Sequence, residues 1–145
     1  MAEYSDPAVE EGLRSVALGS GFNKWLGIRL IAAGGGRVEL EIPVRPDFTQ
    51  HHGVVHGGIV GTAADTASAW AAASVSGDVV TASYTLQLLG AARGSLLRAR
   101  AEVIRAGRRM VSVEARVTSE APGDEPRLVA VALANIVPLT GGRAA

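Results

Sequence analysis

The chain has 145 residues, enough for one domain with a sizeable core, and 48% of them are hydrophobic. Its 14 Lys and Arg balance 14 Asp and Glu, so no net charge draws it to nucleic acid or to an anionic membrane surface. Cysteine is absent, which excludes a disulfide scaffold, a zinc–thiolate site and a Cys nucleophile.

The opening MAEYSDPAVEEGLRS is acidic and polar and holds no apolar stretch long enough for a signal peptide or a membrane span. A cytoplasmic location is the expectation. Asp6 and Pro7 start a helix, Val9, Leu13, Val16 and Ala17 follow at helical spacing, and Gly19 and Gly21 stop it. Residues 26–32 and 37–43 read as two strands joined through Gly34, Gly35 and Gly36, with Val38, Leu40 and Ile42 alternating against Arg37, Glu39 and Glu41. Residues 44–55 form a loop, and a helix rich in Ala, Gly, Ser and Thr runs from about His56 to Val75. The period then changes to two. Ala82, Tyr84, Leu86 and Leu88 alternate with Thr81, Ser83, Thr85 and Gln87, and two further alternating strands follow around residues 97–103 and 111–117. Residues 128–137 are nearly all apolar, as expected of a strand covered on both sides, within the domain or across a subunit interface. An α+β domain follows, in which one long helix covers one face of the sheet and small side chains let the two approach closely. The whole of residues 1–145 is expected to be that one domain, with 1–24 as an N-terminal helical extension.

The chemistry concentrates in QHHGVVHGGIVGTAAD, residues 50–65. Gly57 and Gly58 at the helix start can present unpaired backbone N–H groups to a carbonyl oxygen that becomes an oxyanion. Asp65, eight residues on, sits among small residues with no Lys or Arg in the helix. His52 and His56 have i, i+4 spacing, but Gly53, Val54 and Val55 between them disfavour a helix and no Cys or second acid completes a ligand set, so no metal is expected. Gly57 and Asp65 are roughly 12 Å apart along a helix axis and cannot both touch one carbonyl. If both act in one reaction, the helix start of one subunit meets Asp65 of another, in a dimer with two shared sites.

The pattern Gln50-x-x-Gly53-x-x-His56-Gly57-Gly58 followed by Asp65 resembles the hotdog-fold thioesterases of the phenylacetate-degradation type. The segments VTASYTLQLL, RGSLLRARAEVIRAGRR and RLVAVALANIVP resemble that family's later strands in order and spacing, so the likeness runs from about Gly27 to Pro138. It implies a single hotdog domain, an antiparallel sheet wrapped around a long central helix, in dimers commonly paired into tetramers. It implies hydrolysis of an acyl-coenzyme A thioester, with coenzyme A as part of the substrate and no separate cofactor. The Gly57 N–H would polarise the thioester oxygen, and Asp65 would serve as general base or as nucleophile. Gln50 stands where many relatives carry Asn; its amide would orient water or the carbonyl. His56 would brace the helix start, and Thr81 matches a position whose hydroxyl orients the acid or water. Arg93, Arg108 and Arg109 are candidates for the phosphates of coenzyme A, and LLGAARG replaces the Arg-Pro-Ala-like stretch common in relatives. Trp70 and Tyr84 are candidate pocket walls in a chain with only 2 Phe, 2 Trp and 2 Tyr. A non-catalytic acyl-coenzyme A binding module and a hotdog hydratase or dehydratase are the alternatives. The acid–base motifs of the hydratases are missing, and thiol release separates all three.

Overall fold

A computed structural model describes residues 1–19 and 21–139; Ser20 and residues 140–145 of the expected domain lie outside the described residues. The elements are α1 (Pro7–Ala17), α2 (Gly21–Leu26), β1 (Arg29–Gly34), β2 (Arg37–Pro43), α3 (Gly57–Ser76), β3 (Val79–Leu88), β4 (Leu96–Ala106), β5 (Val111–Glu120) and β6 (Arg127–Pro138), with a short 3-10 turn at Pro46–Phe48. The six strands form one antiparallel sheet in the order β1-β2-β4-β5-β6-β3. Helix α3 lies across its inner face and touches every strand. This is the expected hotdog domain.

The helix can sit so close because the side it buries is built from Gly61, Ala63, Ala64, Ala67, Ser68, Ala71 and Ala72, with Val60 and Trp70 as the larger members. Small side chains bring the backbone down onto the sheet, where Val38, Leu40, Ile42, Leu97, Val113, Val117 and Ile136 are at most 1% exposed. The Ser68 hydroxyl donates to the Ala64 carbonyl at 2.8 Å, which satisfies a polar group in that layer.

Three expectations change. Gly21 does not end the helical region: α2 follows at once, with Phe22 stacked on Trp25 at 5.9 Å and Trp25 edge-on to Phe48 at 5.6 Å. The Asn23 amide donates to the Ala17 carbonyl at 2.7 Å and closes the end of α1, while Gly27, with φ of 74°, ends α2 in the left-handed region that glycine tolerates. The first strand therefore begins at Arg29 rather than Leu26. The second change is in β6, where the domain itself covers one face only: Leu133 on the outer face is 60% exposed, so of the two covers expected for its apolar run a subunit interface is the one left for that face. Its apolar run fills the inner layer with alternate residues and leaves the others for whatever covers the outer face.

The third change carries the most consequence. Between Thr81 and Ser83 the β3–β6 register slips, so that Thr81 faces Ile136 and Ser83 faces Asn135. Ala82 is thereby the extra residue of a bulge. Strict alternation would put Thr81 on the polar face with Ser83 and Thr85; the bulge instead turns it inward, to the face that carries Tyr84, Leu86 and Leu88.

The two sheet edges are treated differently. The N-terminal segment shields β1: the Asp6 N–H donates to the Ala33 carbonyl at 2.8 Å, the Glu10 carboxylate accepts from the Ala33 N–H at 3.2 Å, and Arg14 donates to the Leu30 carbonyl at 3.3 Å. Strand β3 has β6 on one side and no strand on the other among the described residues. Along it Val80, Tyr84 and Leu88 are 50%, 42% and 56% exposed.

Candidate active site

The start of α3 is held from below. Phe48 accepts the His56 N–H at 2.8 Å, and Val55 donates to the Ala92 carbonyl at 3.0 Å, which ties the loop before the helix to the loop before β4. His56 is the N-cap, and its ring Nδ1 accepts the Gly58 N–H at 2.9 Å. The His56 carbonyl takes the Ile59 and Val60 N–H groups. Of the first donors of the helix, the Gly57 N–H alone has no acceptor among the described residues. The Gly pair is thus divided: Gly58 is occupied by the cap, and Gly57 is the open donor at the positive end of a 20-residue helix.

Gln50 closes a tight turn. Its backbone N–H donates to the Val54 carbonyl at 2.9 Å and its carbonyl accepts the Gly53 N–H at 2.9 Å. Gly53 has φ of 78°, which favours glycine there. The Gln50 side-chain carbonyl accepts the His52 N–H. With that oxygen turned to its own loop, the end left for an outside group is the NH₂, a donor.

Asp65 is half-buried on the face of α3 that runs beside β3. The Thr81 hydroxyl, turned inward by the bulge, donates to Asp65 Oδ1 at 2.7 Å. The second carboxylate oxygen has no partner among the described residues. Strand β3 runs back along the helix, so a Cβ added to Gly57 would stand 2.9 Å from a Leu88 methyl, and one added to Gly61 would stand 3.3 Å from both Leu86 and the Tyr84 hydroxyl. The Leu88 end of β3 thus lies beside the helix start, and the Thr81 end beside Asp65.

A description of residues 52–125 as "Thioesterase superfamily" matches this chain, across the helix start, Asp65 and Thr81. The chain belongs to the thioesterase superfamily. A protein of Saccharolobus solfataricus whose name assigns it provisionally to the esterases is 32% identical over 93 residues, which is 63% of this chain; the chain spans 66% of that relative's length. A thioesterase family protein of Silicibacter pomeroyi has a solved structure that superposes with a TM-score of 0.79 at 31% identity, covering 89% of this chain and 93% of that one. PaaI of E. coli, from the phenylacetic acid degradation operon, superposes with a TM-score of 0.82 over 90% of this chain and 92% of its own, at 21% identity, and shares the fold.

Within this thioesterase-superfamily chain the remaining predicted residues scatter. Tyr84 overlies Gly61, between Asp65 and the helix start. Trp70 is 6% exposed and lies in the core, with one edge on a cleft between α1 and α3. Arg93 follows Ala92, so it stands near the start of α3 and is exposed. Arg108 and Arg109 lie in the β4–β5 turn, which joins Ala106 to Val111 at the opposite end of the sheet, and the chain alone does not bring them to Gly57. Sequence patterning missed the bulge at Ala82 and the α1–α3 cleft. It also missed the Arg45 guanidinium, 4.1 Å above the Phe48 ring and 4.8 Å from that of Trp25, which steadies the segment under the helix start.

Proposed function

We propose that this chain hydrolyses acyl-coenzyme A thioesters at sites shared between two subunits. The observation that carries the reading is the division of labour along α3: an open backbone donor at Gly57, and at Asp65 a carboxylate with one oxygen fixed by Thr81 and the other free. The two are too far apart on one helix to act on one carbonyl. Pairing the uncovered edge of β3 with its copy, antiparallel about a two-fold axis midway between Thr81 and Leu88, sets the Leu88 end of one chain against the Thr81 end of the other. That brings Gly57 of one subunit beside Asp65 of its partner, twice. An edge strand of 10 residues with exposed Val80, Tyr84 and Leu88 supports such a pairing.

In each site the thioester oxygen accepts the Gly57 N–H. Asp65 takes a proton from water, whose oxygen attacks the carbonyl carbon. The developing oxyanion is stabilised by the helix start. Collapse breaks the C–S bond and forms the acid, and the thiolate of coenzyme A leaves with the proton that Asp65 had accepted. Thr81 holds the carboxylate in position and is a positioning residue. The Gln50 NH₂ donates to the attacking water or to the carbonyl oxygen. His56, with Nδ1 committed to Gly58, keeps the donor array in shape.

Thiol release from a panel of short, medium, long-chain and aryl acyl-coenzyme A thioesters tests this. Wild type is expected to release thiol, and Asp65→Asn, folded and assembled as wild type, to lose about 10²-fold or more in kcat. Tight binding without cleavage by wild type would instead make the chain a binding module.

A further inference from the structure

Between α1 and the second half of α3 lies a cleft of about 630 Å³. Its walls are Val9, Leu13 and Val16 from α1, Ala69 and Ala73 from α3, and Val79 from β3, with Trp70 at one side and Asp78 at the far end. No residue of α1 is fully buried. The helix is tied to the β1 edge through the Asp6 N–H, Glu10 and Arg14, and Val9, Leu13 and Ala17 pack on the core only in part, which leaves the cleft open beside them.

The cleft is lined by the same two elements that carry Asp65 and Thr81. Ala69 and Ala73 are one and two turns beyond Asp65 on the same helix face, and Val79 precedes Thr81 on β3. From Asp65 to Ala73 is roughly 12 Å along the axis, the reach of an extended acyl chain of about eight to ten carbons.

Resting on the thioesterase reading, we infer that this cleft receives the acyl chain, with α1 as its outer wall, and that the preferred substrates are medium-length straight-chain acyl thioesters. The volume falls in the ordinary range of ligand pockets. The side chains that line it are aliphatic save for the Trp70 indole and Asp78, so most of the lining is apolar. A short acyl or single-ring group held at Asp65 would stop near Ala69 and leave water against apolar walls beyond it. A straight chain displaces that water along the whole cleft.

The test is kcat/KM across saturated acyl-coenzyme A thioesters of two to twelve carbons, for wild type, Ala73→Leu and Val16→Asp. Wild type is expected to gain about fourfold per methylene that enters the cleft, equivalent to about 0.8 kcal/mol, and then to level off. Ala73→Leu fills the cleft and should lower the ratio of decanoyl to butyryl kcat/KM at least tenfold. Val16 is 77% exposed, so Val16→Asp leaves folding intact while placing a charge on the outer wall, and should shift the ratio the same way. Calorimetric titration of the same series onto Asp65→Asn protein reads the cleft without turnover: decanoyl-coenzyme A should bind more tightly than butyryl-coenzyme A, and Ala73→Leu in that background should abolish the difference. Chain-length-independent rates and affinities in wild type overturn the inference, as does an equal loss for all chain lengths in both variants or a changed assembly mass with an unaltered ratio. Absence of thiol release with the affinity pattern intact overturns hydrolysis and leaves the cleft standing.

Discussion

Gly57 and Gly58 are the same residue type side by side, and their backbone donors do different work because His56 precedes them. The His56 ring takes the Gly58 N–H, so of the pair only the Gly57 N–H is left without an acceptor among the described residues. A Pro at this first helical position removes that one donor and keeps the helix. His56, with φ of −58° and ψ of 135°, already has the conformation a residue before proline prefers, and the Leu88 methyl that the ring would meet can rotate away. Gly57→Pro should therefore fold normally by circular dichroism and lose about 10²- to 10³-fold in kcat, as removal of an oxyanion donor does elsewhere. Retained kcat would place the electrophile elsewhere. The motif residues Gln50, His56, Gly57 and Asp65 were legible because they lie within one short stretch of sequence. Thr81 was legible only through the family resemblance; alternation placed it on the wrong face, since a bulge leaves no mark in a pattern of single residues.

Among the elements, the outer face of β2, β4 and β5 is held by charge. Arg98, only 16% exposed at its side chain, reaches Glu120 at 2.7 Å, Glu41 at 2.7 Å and Glu39 at 2.5 Å, and Arg100 joins Glu39 at 2.8 Å. The hydrogen bonds that Arg98 donates hold the Glu120 carboxyl below the usual glutamate range, and those accepted by Glu120 first, then by Glu39, push the Arg98 guanidinium further up. A carboxylate whose pKa is lowered in the folded chain stabilises it above the unfolded value, about pH 4.3, and that contribution is lost as pH falls through the lowered value. The urea midpoint of wild type should thus drop as pH is taken from about 5 to about 3. Glu120→Gln should start from a lower midpoint at neutral pH and show a shallower slope in that window. At the other edge, Gly34 lies under the N-terminal segment: an added Cβ would stand 2.1 Å from the Tyr4 carbonyl oxygen. Gly34→Ala should push residues 4–6 off β1, destabilise the chain by about 1–3 kcal/mol and expose the Ala33 N–H to faster hydrogen exchange. The alternating strands and the long helix were readable because their periods differ. Helix α2 was not, because a six-residue helix between two glycines is sustained by Trp25 packing on Phe48, a contact made across 23 positions of sequence.

For the whole molecule, the consequence of a shared site is complementation. In the proposed dimer, Asp65→Asn and Gly57→Pro each disable both sites of their own homodimer. A mixed dimer carries one site with wild-type Gly57 and wild-type Asp65 and one with neither, so refolding the two inactive proteins together at equal amounts should restore about a quarter of wild-type activity. No recovery, with mixed dimers demonstrated by mass, would place both groups in separate reactions or in one chain.

By itself the sequence determined the number and type of the main elements and marked one stretch as the candidate site, because periodicity, capping and a compact motif are local properties. It also required that Gly57 and Asp65 could act together only across chains, since helical rise is fixed. Only the tertiary structure decided that Thr81 meets Asp65, that Gly58 is spent on its cap, that β1 is shielded while β3 is not among the described residues, and that a cleft lies between α1 and α3. Each of those depends on register, edge pairing or packing between segments far apart in the chain, which no local pattern encodes.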